Sequence, residues 1–348
     1  MTVETLISIS HNSKSYSVPT GLFINNEFIS SSSTLKCYNP STGEYICDVY
    51  EASSKDVDVA VKAAQKAFKS WKTVGGYERG ECLRKLADLV ESNADELADL
   101  ESMQNGKPRQ VARYVDLNKV IKHYRYYSGW ADKNHGKVMN ISSSLQSYTI
   151  HEPYGVVGQI IPWNVPLLMM AWKLAPALAA GNVIVLKTSE KTPLSALKFC
   201  QLISKCFPPG VVNVLSGGPQ VGEAISRHPN IVKVAFTGSV RAGRKVAAAA
   251  AESNLKKVTL ELGGKSANIV FPDANLDKAV EAAYLGIYFN GGQVCCAGSR
   301  LFVHEDIYDS FIQKFIEKSK KIKIGDPFDS DTELGPIVDK IQLDSIMN

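Results

Sequence analysis

Beyond Gly155 the chain repeats one pattern: a short β-branched run, a turn marked by Gly or Pro, then a helical stretch. VVGQII leads to an apolar stretch from Pro166 to Ala180, and NVIVLK leads to another from Pro193 to Cys206. VVNVL and KVAFT each run through a Gly-rich turn into a further helix. Strands alternating with helices predict an α/β fold with a doubly wound, mostly parallel sheet, whose strand ends feed ligand-binding turns. The run closes with VTLEL at Val258–Leu262, and a second α/β unit follows the turn at Gly263–Lys265: SANIVF, an amphipathic helix, a Gly/Cys turn, RLFVH and a Lys-rich helix. A domain boundary is expected at that turn.

The opening third reads as polar and helical after one short strand pair. Leu22–Ile24 and Phe28–Ile29 flank Asn25–Glu27, a turn between two strands. Ser53 and Asp56 form a capping-box pattern ahead of Val57, Ala60, Val61, Ala64, Ala67, Phe68 and Trp71, apolar at helical spacing. A second long helix is predicted through Leu83, Leu86, Val90, Leu97 and Leu100, stopped by Gly106 and Pro108. From Lys137 to Glu152 the pattern alternates and turns Ser-rich, as in an exposed hairpin.

Composition narrows the function classes. With 348 residues, 45% hydrophobic and 21% charged, the chain can bury a large core. Its 39 Lys and Arg oppose 35 Asp and Glu without a basic block or tail, which speaks against a nucleic-acid partner. Seven scattered cysteines without a CxxC pair suit reduced thiols, not a disulfide framework or a zinc site, so no metal is expected. The most apolar stretch, Val165–Leu186, is interrupted by Pro166, Lys173, Pro176, Gly181 and Asn182, too often for a membrane span. The first residues carry neither a signal h-region nor an Arg-rich amphipathic leader, and a cytoplasmic location is expected.

Several residues stand where chemistry is possible. Cys295 lies in FNGGQVCCAGSR, a Gly-rich turn where a thiol is either a nucleophile or a small buried hydrophobe. Glu261 ends an apolar strand, where an inward carboxylate would be desolvated and suited to a general base; a solvent-facing or capping role fits equally. Asn164, between a strand and a helix start, could donate to an oxyanion or serve as an ordinary turn residue. For a dinucleotide, Gly217–Gly218 and Gly238–Ser239 each open a helix after a strand, which places N–H groups and the helix dipole toward a pyrophosphate. Lys187 and Glu190 follow NVIVLK, where they could pair with ribose hydroxyls or be a solvated lysine and a cap.

Taken together, IIPWNVPLLMMAWKLAPALAAGN, VLKTSEKTP, FTGSVRAG, LELGGKSANIVF and FNGGQVCCAGSR resemble, in order, the signatures of the NAD(P)-dependent aldehyde dehydrogenase superfamily. The resemblance runs from about Gly21 to the last residue, with 34 positions between Glu261 and Cys295 and 23 between Asn164 and Lys187, as expected for that family. It implies an aldehyde-dehydrogenase-like fold: residues 1–136 as the N-terminal part of a Rossmann-type dinucleotide-binding domain, 137–152 as a bridging hairpin for oligomerisation, 153–262 as the NAD-binding core, and 263–348 as a catalytic α/β domain.

The resemblance also implies roles. Cys295 is the nucleophile, Asn164 and the Cys295 backbone N–H form an oxyanion hole, and Glu261 is the general base. Lys187 and Glu190 hold the adenosine ribose of NAD, Ser239 the pyrophosphate, and Ile160, Trp163, Gly218 and Gly238 line the cofactor cleft. Met169, Trp172 and Phe289 line a substrate tunnel. The activity implied is oxidation of an aldehyde to a carboxylic acid through a cysteine thioester, with a small-molecule aldehyde as partner, a homo-oligomeric assembly and no membrane. Thr188 stands where the family usually has proline, and the family's glutamate–isoleucine–phenylalanine–glycine–proline segment does not occur within these residues. The second sheet is therefore expected to be incomplete, and an inactive remnant of such an enzyme, or a thiol esterase, is the rival expectation.

Overall fold

The computed structural model describes residues 5–11 and 14–348. The chain opens with three strand pairs. Strands β1 (Leu6–His11) and β2 (Lys14–Pro19) pair antiparallel, as do β3 (Leu22–Ile24) with β4 (Glu27–Ile29) and β5 (Ser33–Tyr38) with β6 (Tyr45–Glu51). The β3–β4 turn occurs as the sequence predicts, with Asn25 (φ 55°) and Asn26 (φ 64°) both left-handed, a conformation Asn tolerates well. The other two pairs correct the reading of this third as mainly helical. Their strands carry Ser, Lys and Tyr between the apolar positions, and only Ile9, Tyr16, Val18, Cys37, Cys47 and Val49 form a small core with Leu100, Leu194 and Leu197.

Helix α1 (Ser54–Trp71) begins with the predicted capping box: Ser53 Oγ accepts from the Asp56 N–H, and the Asp56 carboxylate accepts from the Ser53 N–H. Its apolar stripe, Val57, Ala60, Val61, Ala64 and Trp71, is buried. The long helix predicted next is two, α2 (Gly76–Ser92) and α3 (Ala94–Asn105), broken at Asn93, whose side chain donates to the Leu89 carbonyl. Periodicity runs through the break, which is why sequence alone missed it. Gly106 ends α3 at φ 83°, a conformation that costs a residue with a Cβ.

A helical turn α4 (Arg109–Val111) and a π-helical turn (Ala112–Asp116) lead into α5 (Leu117–Trp130). The hairpin β7 (Val138–Ser142) and β8 (Leu145–Tyr148) then stands exposed, as expected. At the bend between α3 and the π turn a buried triad forms: Lys107 Nζ lies 2.9 Å from Glu101 Oε1 and 2.7 Å from Asp116 Oδ2. Burial opposes the ammonium charge, but the two carboxylates outweigh it and raise the Lys107 pKa.

The predicted alternation follows: β9 (Val156–Ile160), α6 (Pro166–Ala179), β10 (Val183–Lys187), α7 (Leu194–Ile203), β11 (Val212–Leu215), α8 (Pro219–Arg227), β12 (Lys233–Gly238), α9 (Val240–Ser253) and β13 (Lys257–Leu262). The five strands are parallel and extend, through β3 and β4, to a seven-stranded sheet of order β13-β12-β9-β10-β11-β3-β4. Strands β9, β10 and β11 are buried on both faces, which explains their unbroken apolar runs. The chain reverses its direction of growth between β9 and β12, so the ends of those two strands border the crevice where doubly wound sheets bind ligands.

After Leu262 the sheet changes. Strands β14 (Ala267–Val270) and β15 (Arg300–Val303) pair parallel with each other, joined through α10 (Leu276–Tyr288) and followed by α11 (Tyr308–Ser319). Val270, Val280, Ala283 and Phe311 form their small core. The last helix, α12 (Lys340–Met347), is capped by Asp339, which accepts from the Gln342 N–H.

Candidate active site

Two clefts meet at the end of β12. The first, of about 550 Å³, is lined by Ile160 at the end of β9, Trp163, Lys187 at the end of β10, Glu190, Gly222 on α8 and the Thr237–Ser239 turn. The second, of about 570 Å³, holds Asn164, Met169, Gln293, Cys295 and Gln342. Pro162, Trp163, Thr237, Gly238 and Ser239 border both. The structure thus brings Ile160, Trp163, Lys187, Glu190, Gly238 and Ser239 to one cleft, and Asn164 and Cys295 to its neighbour. Gly218 sits beside the first, as the N-cap of α8, its N–H donating to Glu51 Oε1 at 3.2 Å. Trp172 and Phe289 are not among the lining residues; Trp172 is exposed and faces the His123 ring.

The first cleft suits a dinucleotide. Ser239 caps α9 through a bond from the Ala242 N–H to its Oγ, so the first N–H groups of a 14-residue helix point into the crevice. Thr237 Oγ1 is buried without a hydrogen-bond partner among the described residues, a polar atom that a bound group would satisfy. Lys187 is deeply buried: Nζ donates to the Thr188 carbonyl at 2.7 Å and the Gly217 carbonyl at 2.5 Å, and Glu190 Oε2 lies 3.6 Å away. Burial lowers its pKa, and the Glu190 carboxylate opposes that fall.

In the second cleft, Asn164 Nδ2 donates to the Gln293 carbonyl at 2.8 Å, two residues before Cys295. An amide nitrogen carries two hydrogens, so one remains for a ligand oxygen. The Asn164 peptide is held in turn by Asn105 Nδ2, 2.7 Å from the Trp163 carbonyl and 3.4 Å from that of Asn164. Cys295 is half-buried; burial first, and the neighbouring Cys296 next, push its thiol pKa up.

Glu261 takes the solvent-facing alternative. It is exposed on β13 and lines neither cleft, so the inward, desolvated carboxylate is corrected. The reason is topological: β13 is the edge strand of the seven-stranded sheet, with a neighbour on one side only. A residue the sequence reading passed over lies near it. Lys173 on α6 is half-buried, and burial pushes its amine down to about 8 against the opposing pull of the Glu261 carboxylate. Only its place in an apolar helix, as one charge among Leu, Met and Ala, could have drawn attention to it.

This geometry can be set beside known proteins. The model of the Aldehyde dehydrogenase family matches residues 28–348. The chain belongs to that family. It is 54% identical over 333 residues to the mitochondrial aldehyde dehydrogenase of Homo sapiens, covering 94% of this chain and 64% of that protein. To an aldehyde dehydrogenase of Emericella nidulans it is 55% identical over 337 residues, covering 95% and 68%. Among solved structures, the NAD+ complex of an aldehyde dehydrogenase from Bacillus cereus matches with a TM-score of 0.93 at 46% identity, over 94% of this chain and 68% of that one. The chain therefore spans about two thirds of the length of the relatives it matches. Among the described residues no helix is long and apolar enough to cross a membrane.

Proposed function

We propose that this chain oxidises an aldehyde to a carboxylic acid, with NAD as the hydride acceptor and Cys295 as the nucleophile. The observation that carries the reading is the junction of the two clefts: a thiol and a free amide hydrogen share one cleft, and it opens onto a neighbour suited to a dinucleotide. The relative from Bacillus cereus is described as an NAD+ complex, which supports the choice of cofactor. When bound, NAD supplies the hydride acceptor. The chain's own residues do the rest.

The Cys295 thiolate forms a bond to the carbonyl carbon, and the carbonyl oxygen becomes an oxyanion. Asn164 Nδ2 and the Cys295 backbone N–H stabilise that charge. Collapse of the oxyanion expels the hydride and leaves a thioester on Cys295. Glu261 then takes a proton from water, whose oxygen attacks the thioester; the acid leaves and the thiol is restored. Glu261 takes this role from the family resemblance; in this structure it is exposed on β13 and lines neither cleft. Lys187 and Glu190 hold the ribose, and Ile160, Trp163, Gly218, Gly238 and Ser239 shape the cofactor cleft; Met169 contacts the aldehyde.

The change of sheet after Leu262 supports a division into a cofactor domain through residue 262, crossed by the hairpin at 137–152, and a catalytic domain from 263. Val138, Ile141, Leu145 and Tyr148 leave that hairpin with exposed apolar side chains, which favours a homo-oligomer. All seven cysteines are free, which suits a reducing compartment such as the cytoplasm, although relatives include mitochondrial enzymes. The test is NADH formation with a panel of aliphatic and aromatic aldehydes, with Cys295→Ser as the control. Turnover that vanishes in the control is expected; a folded chain without turnover would sink the reading.

A further inference from the structure

The turn before Cys295 is left-handed over three successive residues: Asn290 (φ 52°, ψ 32°), Gly291 (φ 63°) and Gly292 (φ 71°). Two glycines adopt such a backbone freely, whereas Asn290 carries a side chain and is 6% exposed. A buried, non-glycine residue in this region persists only where its surroundings hold it. Here the hold is visible. Asn290 Nδ2 lies 3.3 Å from the Asn164 carbonyl and 3.5 Å from the Gln293 carbonyl, so one amide spans the two segments that face each other across the cleft.

The rest of the network closes around that amide. Gln293 donates from its backbone N–H (3.1 Å) and from Nε2 (3.2 Å) to the Asn290 carbonyl, and its Oε1 accepts from the Val338 N–H at 3.1 Å. Asn164 Nδ2 reaches the same Gln293 carbonyl at 2.8 Å. Two backbone carbonyls, from loops about 130 residues apart, are thus bridged by one side chain beside the cleft that Asn164 and Cys295 both line. An oxyanion hole works only if its donors are aimed in advance, since reorganising them during the reaction forfeits their advantage.

We propose that Asn290 is a positioning residue for the oxyanion hole: by bonding the Asn164 and Gln293 carbonyls, it holds the Asn164 amide and the Cys295 N–H converged on one oxygen. This rests on the proposed function only in so far as Cys295 is a nucleophile attacking a carbonyl. Asn290 itself touches no reacting atom. Its loss leaves the thiol intact and blurs the donors.

The test separates those two effects without the cofactor. Asn290→Gly keeps the left-handed turn and removes the amide; Asn290→Asp keeps the shape and replaces the donor with an acceptor. Acylation of Cys295 by p-nitrophenyl acetate passes through an oxyanion, with p-nitrophenolate leaving as the thioester forms, whereas alkylation by iodoacetamide displaces iodide and has no carbonyl oxyanion. Both variants are expected to slow acylation about tenfold or more, with the rate and pH profile of Cys295 alkylation unchanged, and to add little to the loss already caused by Asn164→Ala. Unchanged acylation, or acylation and alkylation falling together as from general disorder, would overturn the proposal, as would a parent chain that is alkylated but never acylated. Acylation that depends on Asn290 in a chain that forms no NADH would refute the dehydrogenase reading and leave this one standing.

Discussion

Lys191 Nζ lies 2.6 Å from Asp339 Oδ2 and 5.3 Å from the centre of the Trp163 ring, so one ammonium joins the turn after β10 to the cap of α12 over an aromatic face. The pair bridges 148 positions of sequence and ties down the helix whose Gln342 lines the Cys295 cleft. The charges in this turn therefore divide: Lys187 and Glu190 border the cofactor cleft, and Lys191 serves the contact between two segments. Both side chains of the pair keep some exposure, 18% and 29%, which limits its worth to about 1 kcal/mol. A double-mutant cycle of Lys191→Met and Asp339→Asn in denaturant unfolding should return a coupling of about that size, weakened by salt. The cycle matters because Asp339 also caps α12, a role that a single substitution would confound. Zero coupling at low salt would show that the two charges only happen to be close.

Removing Asn164 should spare binding and cost rate. Its Nδ2 is already fixed by the Gln293 carbonyl, so the second hydrogen needs no reorganisation when charge develops. Asn164→Ala is expected to lower kcat by about 10²–10³, the usual loss for one oxyanion donor, with KM for the aldehyde nearly unchanged. Steady-state kinetics decide this. A loss confined to KM would place Asn164 in ground-state binding.

The Cys295 thiol is held above its ordinary value, first by burial and then by Cys296. At neutral pH it is therefore mostly protonated, and its alkylation by iodoacetamide should climb as pH rises toward and beyond the ordinary thiol range near 9. Cys296→Ser removes one of the upward influences, so its curve should shift to lower pH and Cys295 should react faster near pH 8. Mass spectrometry of the modified peptide follows each thiol separately. An unshifted curve would mean that burial alone sets the thiol.

Much of this was legible in the sequence, and the exceptions share physical causes. Hydrophobic period revealed the alternation from β9 onward, because strands buried on both faces, as β9, β10 and β11 are, must be written as unbroken apolar runs. Ser53 with Asp56 and Asn25 with Asn26 revealed themselves through local chemistry that needs no partner far away. The clefts were legible because Asn164 and Ser239 sit in turns after strands and Cys295 in the Gly-rich turn between a helix and a strand. What failed was whatever depends on a distant neighbour. Glu261 stayed open between a desolvated and a solvent-facing carboxylate because VTLEL could be a central strand, and strand order, not strand composition, decides which strand is the edge. Lys107, Glu101 and Asp116 drew no expectation, since nothing in the segment announces that the three meet inside. Asn290 stood within a motif already noted for Cys295, but its contact with Asn164 spans 126 positions.

That buried triad supports a stability prediction. Among the described residues Lys107 is the only cation bonded to two carboxylates that are themselves shut away from water, and Glu101 also accepts from the Leu167 N–H at the start of α6. Lys107→Met keeps the volume and removes the charge, leaving two buried carboxylates without their partner. A loss of about 3–5 kcal/mol is expected, as for other buried pairs broken on one side. Urea unfolding measures it. A variant within 1 kcal/mol of the parent, on the scale of an exposed pair, would mean that water reaches the triad.

The amine of Lys173 sets a pH window that can be read without any substrate. Burial pushes it down to about 8, Glu261 opposes the fall, and Lys233 adds to it, while in the unfolded chain the amine keeps its ordinary value of 10.5. Between those two values the unfolded state holds a proton that the folded state has released, so this group makes stability rise with pH across the window. Below it, both states are protonated, and the folded state bears the full cost of a half-buried charge. Lys173→Met never carries that charge. Relative to the parent it should therefore be most favoured at neutral pH, with its advantage shrinking as pH climbs from about 8 toward 10.5. Comparing the two chains at each pH cancels every other titrating group. Glu261→Gln should extend the window to lower pH, since without the carboxylate the amine falls further and the cost of its charge at neutral pH grows in that variant. A difference between Lys173→Met and parent that stays flat with pH would show the amine to be solvated as in the unfolded chain, and Glu261 to stand apart from it.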